Sequence, residues 1–176
     1  MPYTVEVDQS GRIEFTRDDT VMALSDGINN TLLVEARVKR ACVTELRNRG
    51  ISGPTLYVRL FATGLYFLLK GHIQQLSRVV IDIEYFGKEA QIKEHLINLL
   101  RRAGCVVHAD QIQFQRIGKR SAAHVLALET LRGHSKPDLV LSKEDLLGEF
   151  RRKKIDRGLP FGRPTYLQRP VKDSIR

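Results

Sequence analysis

The sequence predicts an α/β fold: a mixed sheet with antiparallel hairpins at its N-terminal end, parallel β-α units after them, and helices on its faces. Three observations carry this expectation. Residues 3–25 show the period-two alternation of strands. Residues 38–103 hold three helical segments around one apolar strand-like run. Residues 112–150 alternate short β-type and helical segments.

Taken in order, YTVEVD (3–8) alternates, QSG (9–11) suits a tight turn with Gly11 at positive φ, and RIEF (12–15) reads as the returning strand. TRDD turns the chain, TVMAL (20–24) is a further β-type run, and SDGINN (25–30) is a loop, because Gly and Asn favour turn conformations. TLLVEA (31–36) fits a strand or the opening of a helix, and periodicity does not decide so short a run. From Val38 to Arg49 the pattern is helical, with Val38, Ala41, Cys42 and Leu46 on one face and Gly50 as a stop.

GISGP links this helix to residues 55–70, which are apolar nearly all round and read as a core helix. VVIDIE (79–84) is a buried strand that ends in two acids. Residues 88–103 form an amphipathic helix, with Ile92, Leu96, Leu99, Leu100 and Ala103 inward and Gly104 at its end. IQFQRIG (112–118) is a strand, and SAAHVLALETLRG (121–133) is a helix that Ser121 caps. LVL (139–141) is a short strand, after which Ser142 and Asp145 have capping-box spacing and open a last helix to about Phe150.

These elements make one domain, residues 1–150, followed by a basic C-terminal tail, residues 151–176, with three prolines and two glycines. At 42% apolar residues the chain has enough material for a core. The net charge is +9, and nine Lys/Arg against two Asp place +7 of it in the tail. No apolar run reaches the ~20 residues a membrane span needs. The nearest, residues 55–70, is interrupted by Arg59 and Gly64, so no membrane partner is expected. The N-terminal stretch lacks a basic region followed by an apolar one, so no secretory signal is expected. Cys42 and Cys105 have neither disulfide-framework nor zinc-ligand spacing; buried thiols in a reducing, cytoplasmic setting are the expectation. His72, His95, His108 and His134 show no ligand spacing.

The acids at strand ends raise the chemical question. Side chains alternate along a strand, so Val5 and Val7 share one face of YTVEVD, and Glu6 and Asp8 the other. Likewise Asp82 and Glu84 oppose Val79, Ile81 and Ile83. If the two strands are parallel neighbours, Asp8 and Asp82 meet at their carboxyl ends, where open α/β sheets place their sites. Carboxylates gathered there repel one another, and a divalent cation accepting oxygens from both strands removes the conflict. Other readings remain open. Glu6 and Asp8 fit the solvated face of a hairpin. Asp82 or Glu84 fits a structural ion pair, or the N-terminal cap of the helix near Gly87.

Two further segments carry charge. In IGKRSAAH (117–124), a strand-to-helix turn with Lys119 and Arg120 suits phosphate binding, and His124 in the first helical turn suits orienting a water or shuttling a proton. A capped helix with solvated basic residues fits equally. In the tail, Arg151, Arg152, Lys153, Lys154 and Arg157 suit non-specific binding to a phosphate backbone, with Phe161 and Tyr166 available to stack on bases. A solvated tail, or one that docks on a protein partner or a second copy of the chain, is the other reading.

The order of elements, with acids in VEVD and VVIDIE, resembles the ribonuclease H-like superfamily over about residues 3–133. The resemblance implies a Mg²⁺- or Mn²⁺-dependent nuclease acting on nucleic acid. Asp8 and Asp82 would be metal ligands, Glu84 would assist or replace Asp82, and His124 would join the catalytic set. Members add acids from the first helix and near the last; Glu45 is the first-helix match, and the last helix offers His124, with Glu129 more than a turn on. Two helices rather than one separate the antiparallel strands from VVIDIE. The alternatives are a non-catalytic module of the same fold that binds nucleic acid or protein, and an assembly subunit that docks through its tail.

Overall fold

A computed structural model describes residues 2–150; Arg151, Arg152, Lys153, Lys154, Arg157 and the rest of the tail lie outside the described residues. Six strands form one sheet: β1 (Tyr3–Ser10), β2 (Thr20–Ser25), β3 (Asn30–Val34), β4 (Leu76–Asp82), β5 (Ile112–Gln115) and β6 (Leu139–Val140), in the order β5-β4-β1-β2-β3-β6. The pairs β1/β2 and β2/β3 are antiparallel, and β1/β4, β4/β5 and β3/β6 are parallel. The helices are α1 (Ala36–Asn48), α2 (Gly53–Leu69), α3 (Glu89–Arg102), α4 (Ala122–Leu131) and α5 (Lys143–Gly148). The expected mixed α/β sheet is present, and the ambiguous TLLVEA begins as strand.

Alternation along β2 sorts the layers. Met22 and Leu24 face the main core with Val5, Val7, Leu32, Val79 and Ile81, covered by Cys42 and Leu46 of α1, Leu65 and Leu68 of α2, Leu96 and Leu100 of α3, and Leu146 of α5. Val21 and Ala23 face the other way, against Ala127 of α4. Helix α2 is the centre of the main layer. Its fully buried leucines each contribute about 1.5–3 kcal/mol by leaving water. It lies so close on β2 that a Cβ at Gly64 would sit 2.7 Å from Met22 Cε.

Three expectations need correction. RIEF is not a strand: residues 11–19 form a loop, and β1 pairs directly with β2, Asp8 opposite Ala23 and Ser10 opposite Val21. Gly11 has its positive φ of 71°, but it opens this long loop rather than a tight turn, and a Cβ there would lie 2.2 Å from the Asp19 carbonyl oxygen. The inward face of α1 is Lys39, Cys42, Val43 and Leu46; Val38 and Ala41 are half-buried. Cys105 is half-buried rather than enclosed, whereas burial pushes the Cys42 thiol up to about 11.

Lys39 explains the first two corrections together. It is 1% exposed, and its Nζ donates to the carbonyls of Arg12 (3.2 Å) and Phe15 (2.7 Å) and to Thr20 Oγ1 (2.8 Å). An ammonium has three donors, and three oxygens of the loop and the start of β2 satisfy them. Burial pulls its pKa down to about 8, opposed by the carboxylates of Asp18 and Asp19. The loop is shaped by a distant helix, not by its own strand pattern.

At the far edge, Thr31 N and Oγ1 both donate to Asp138 Oδ2 (2.8 Å each), and Asp138 N donates to Thr31 Oγ1 (2.9 Å). This staple lays β6 along β3, and the expected Ser142–Asp145 capping box then starts α5. No helix among the described residues is long and apolar enough to cross a membrane.

Candidate metal centre

Strands β1 and β4 run parallel side by side, with Val7 opposite Ile81, one residue before each of Asp8 and Asp82. Both acids therefore leave the sheet at its carboxyl edge on the α4 side. Strand β4 ends at Asp82, earlier than the sequence suggested, so Glu84 is carried by the loop that follows. Asp8, Asp82 and Glu84 each offer a carboxylate oxygen, all within 4.8 Å of one another.

Each acid is held by a different element. Asp8 is 6% exposed; its Oδ1 accepts from Gln9 N at 2.7 Å, and its Oδ2 lies 2.6 Å from His124 Nδ1. His124 reaches it because Ser121 caps α4, its Oγ accepting from His124 N at 3.0 Å, which fixes the first turn above β1. Asp82 Oδ1 accepts from Ile117 N (2.6 Å) in the loop after β5. Glu84 is positioned through its backbone: Arg12 Nη2 donates to its carbonyl at 2.6 Å, and the same guanidinium pairs with Glu14, which accepts from the Tyr85 hydroxyl.

The electrostatics are those of crowded acids. Burial raises the pKa of Asp8, the bonds from His124 and Gln9 oppose it, and Asp82 adds to the rise. Glu84 is pushed up to about 7, by burial first and then by Asp8 and Asp82. Among the described residues, no Lys or Arg forms an ion pair with any of the three. Three carboxylates at this density, answered by one imidazole and the nearby Arg12 charge, keep a mutual repulsion that a hard cation removes.

Gln9, which sequence reasoning missed, adds an independent observation. It is 6% exposed, and its amide lies against Glu84 and Tyr85, lowering both pKa values. Yet neither amide atom completes a hydrogen bond among the described residues. A buried amide without a completed hydrogen bond, beside converging carboxylates, is a donor and acceptor that an ion or water there would satisfy. The donor set, all carboxylate oxygen with one imidazole beside it, fits Mg²⁺ or Mn²⁺. Asp8, Asp82 and Glu84 would hold it.

The remaining expected residues divide. Glu45 is paired with Arg49 on the surface of α1, and Glu129 with His134 at the end of α4, so neither reaches the acids. The capping role for Asp82 or Glu84 is also set aside, because α3 starts after Lys88 with no side-chain cap among the described residues. Lys119 and Arg120 are exposed in the turn before Ser121, on the same loop as Ile117.

The raised acids set a pH dependence. Between pH 4.5 and about 7, folded Glu84 keeps a proton that the unfolded chain has lost. Stability therefore falls as pH rises through this window and levels above it, with Asp8 contributing in the same direction. Melting temperatures without divalent ions should fall between pH 5 and 7.5 more steeply in wild type than in Glu84→Gln. Millimolar Mn²⁺ should restore the loss at pH 7.5 in wild type only.

No protein-family model matches the chain, and no curated protein or solved structure matches it either.

Proposed function

We propose that the chain is a Mg²⁺- or Mn²⁺-dependent nuclease that hydrolyses phosphodiester bonds in nucleic acid, on a ribonuclease H-like sheet. The observation that carries the reading is the convergence of Asp8, Asp82 and Glu84 within 4.8 Å at the carboxyl edge of adjacent parallel strands. The strand order β3-β2-β1-β4-β5, with β2 antiparallel to its neighbours, supports it, as does α4 placing His124 on Asp8.

Divalent ions in such a site supply Lewis-acid stabilisation of the phosphoryl oxygens and a water acidified for attack. The chain's own residues do the rest. Asp8, Asp82 and Glu84 gather the negative charge that would hold the cation. Asp8 Oδ2 and His124 Nδ1 share a hydrogen bond, which fixes the ring and leaves Nε2 to take or return a proton. Ile117 N and the Arg12 guanidinium hold Asp82 and the Glu84 backbone in register before anything binds. Lys119 and Arg120, exposed beside the rim, serve the phosphates that flank the cut. The tail, +7 in charge, supplies non-specific affinity.

A second reading has its own observation. The fourth position is an imidazole, and the carboxylates of Glu45 and Glu129 are committed elsewhere. A non-catalytic nucleic-acid module keeps the same sheet. A panel of single-stranded and duplex RNA, DNA and hybrid, incubated with Mn²⁺ and with chelator, separates the two. The nuclease reading expects cleavage of at least one substrate that chelator abolishes. Binding of the panel without any cutting would establish the module instead.

A further inference from the structure

The loops beside the acids carry an aromatic that no role above uses. Phe86 follows Glu84 by two residues, in the turn completed by Gly87 at φ 73°, and it is 72% exposed. Strands β4 and β5 are paired with Asp82 opposite Gln115, so the loops that leave them emerge together. Arg116, the first residue of the second loop, lies over the Phe86 ring with its guanidinium carbon 5.3 Å from the centroid. The same loop donates Ile117 N to Asp82 and then presents Lys119 and Arg120. One side of the ring thus carries a cation, and the ring stays largely open to solvent. A free phenyl group on a surface is ordinary. A phenyl braced by arginine, two residues from Glu84 and four from Asp82 and beside exposed cations, has the geometry of a stacking platform.

We propose that Phe86 and Arg116 form a subsite for an unpaired nucleobase adjoining the acidic cluster, so that the chain engages single-stranded or locally unpaired nucleic acid. The inference rests on the reading that this edge of the sheet faces nucleic acid. An aromatic face accepts any base, and stacking contributes about 1–3 kcal/mol per base, which corresponds to roughly 5- to 150-fold in affinity. In a duplex both faces of each base are already stacked, so the platform has nothing to add unless the base is displaced. The arginine neutralises the adjoining phosphate while bracing the ring from behind.

The test uses the full chain carrying Asp8→Asn, so that binding is read without cutting. The probes are a mixed-sequence DNA single strand containing 2-aminopurine, and the blunt duplex of the same sequence. The proposal expects tighter binding of the single strand than of the duplex, with quenching of 2-aminopurine. Phe86→Ala should weaken single-strand binding about tenfold or more, with duplex affinity and melting temperature unchanged; Phe86→Trp should restore it. A loss under twofold for Phe86→Ala, equal losses on strand and duplex, or no oligonucleotide binding by the parent chain would overturn it. Cleavage by wild type is a separate measurement: a chain that stacks bases but never cuts sinks the nuclease reading and leaves this subsite intact.

Discussion

Asn in place of Asp8 or Asp82 is expected to cut Mn²⁺-dependent cleavage by about 10³-fold or more, while leaving the metal-free fold as stable as wild type or more so. The kinetic half follows from the proposed role of each carboxylate as a metal ligand: a bound divalent ion would contribute several kcal/mol to the transition state, and ~4 kcal/mol corresponds to 10³ in rate. The stability half follows from the repulsion that remains without the ion. Asn at position 8 keeps an oxygen to accept from Gln9 N, and its amide can donate to the imidazole in the tautomer with unprotonated Nδ1. Asn at 82 likewise keeps an acceptor for Ile117 N. Removing one charge from the cluster at pH 7.5 should raise the metal-free melting temperature by about 2–4 °C, as ~1 kcal/mol does for a domain of this size. The usual buried-residue substitution lowers both quantities. Opposite signs in calorimetry and in the cleavage assay distinguish a site from a structural ion pair. A melting temperature that drops by many degrees in both variants would show that the acids hold the fold together.

The second large effect belongs to Lys39. Lys39→Met keeps the length of the stem and deletes the ammonium, leaving the Arg12 and Phe15 carbonyls and Thr20 Oγ1 without their shared donor. Hydrogen bonds to a charged group each contribute about 1.5–3 kcal/mol, but desolvating the ammonium offsets part of that, so the expected net loss is about 2–4 kcal/mol. Urea denaturation measures it directly. Arg40→Ala is the control, because Arg40 donates to the Thr16 carbonyl of the same loop from an exposed position and should cost well under 1 kcal/mol. Lys39→Met should also weaken Mn²⁺ binding, because the loop it holds carries the Arg12 that fixes the Glu84 backbone. Equal stability losses in the two variants would remove Lys39 from its role as the clamp.

The split between what the sequence revealed and what it hid follows one physical line. Strand alternation placed Asp8 and Asp82 on a shared face, and the capping residues Ser121 and Ser142 were readable, because each depends on residues within a few positions. The hairpin through RIEF misled for the converse reason. Its alternation of Arg12, Ile13, Glu14 and Phe15 looks like a strand, but a lysine 24 to 27 positions on claims the backbone oxygens that a neighbouring strand would have taken. Gln9 and Lys39 were invisible as partners of the site. A polar residue in the interior carries no periodic signature, and only its neighbours in space show why it is there. Glu45 failed because the phase of its helix, set by burying Lys39 and Cys42, turns it to the surface.

Strand β6 has only two residues, both exposed, and adds little apolar burial, yet its position beside β3 gives it a protective role. The outer rim of β3 would otherwise present unpaired amides and carbonyls to any extended chain that passed. The Thr31–Asp138 staple closes that rim with a few hydrogen bonds. Shielding this rim of the sheet thus falls to a segment that contributes almost nothing to the interior.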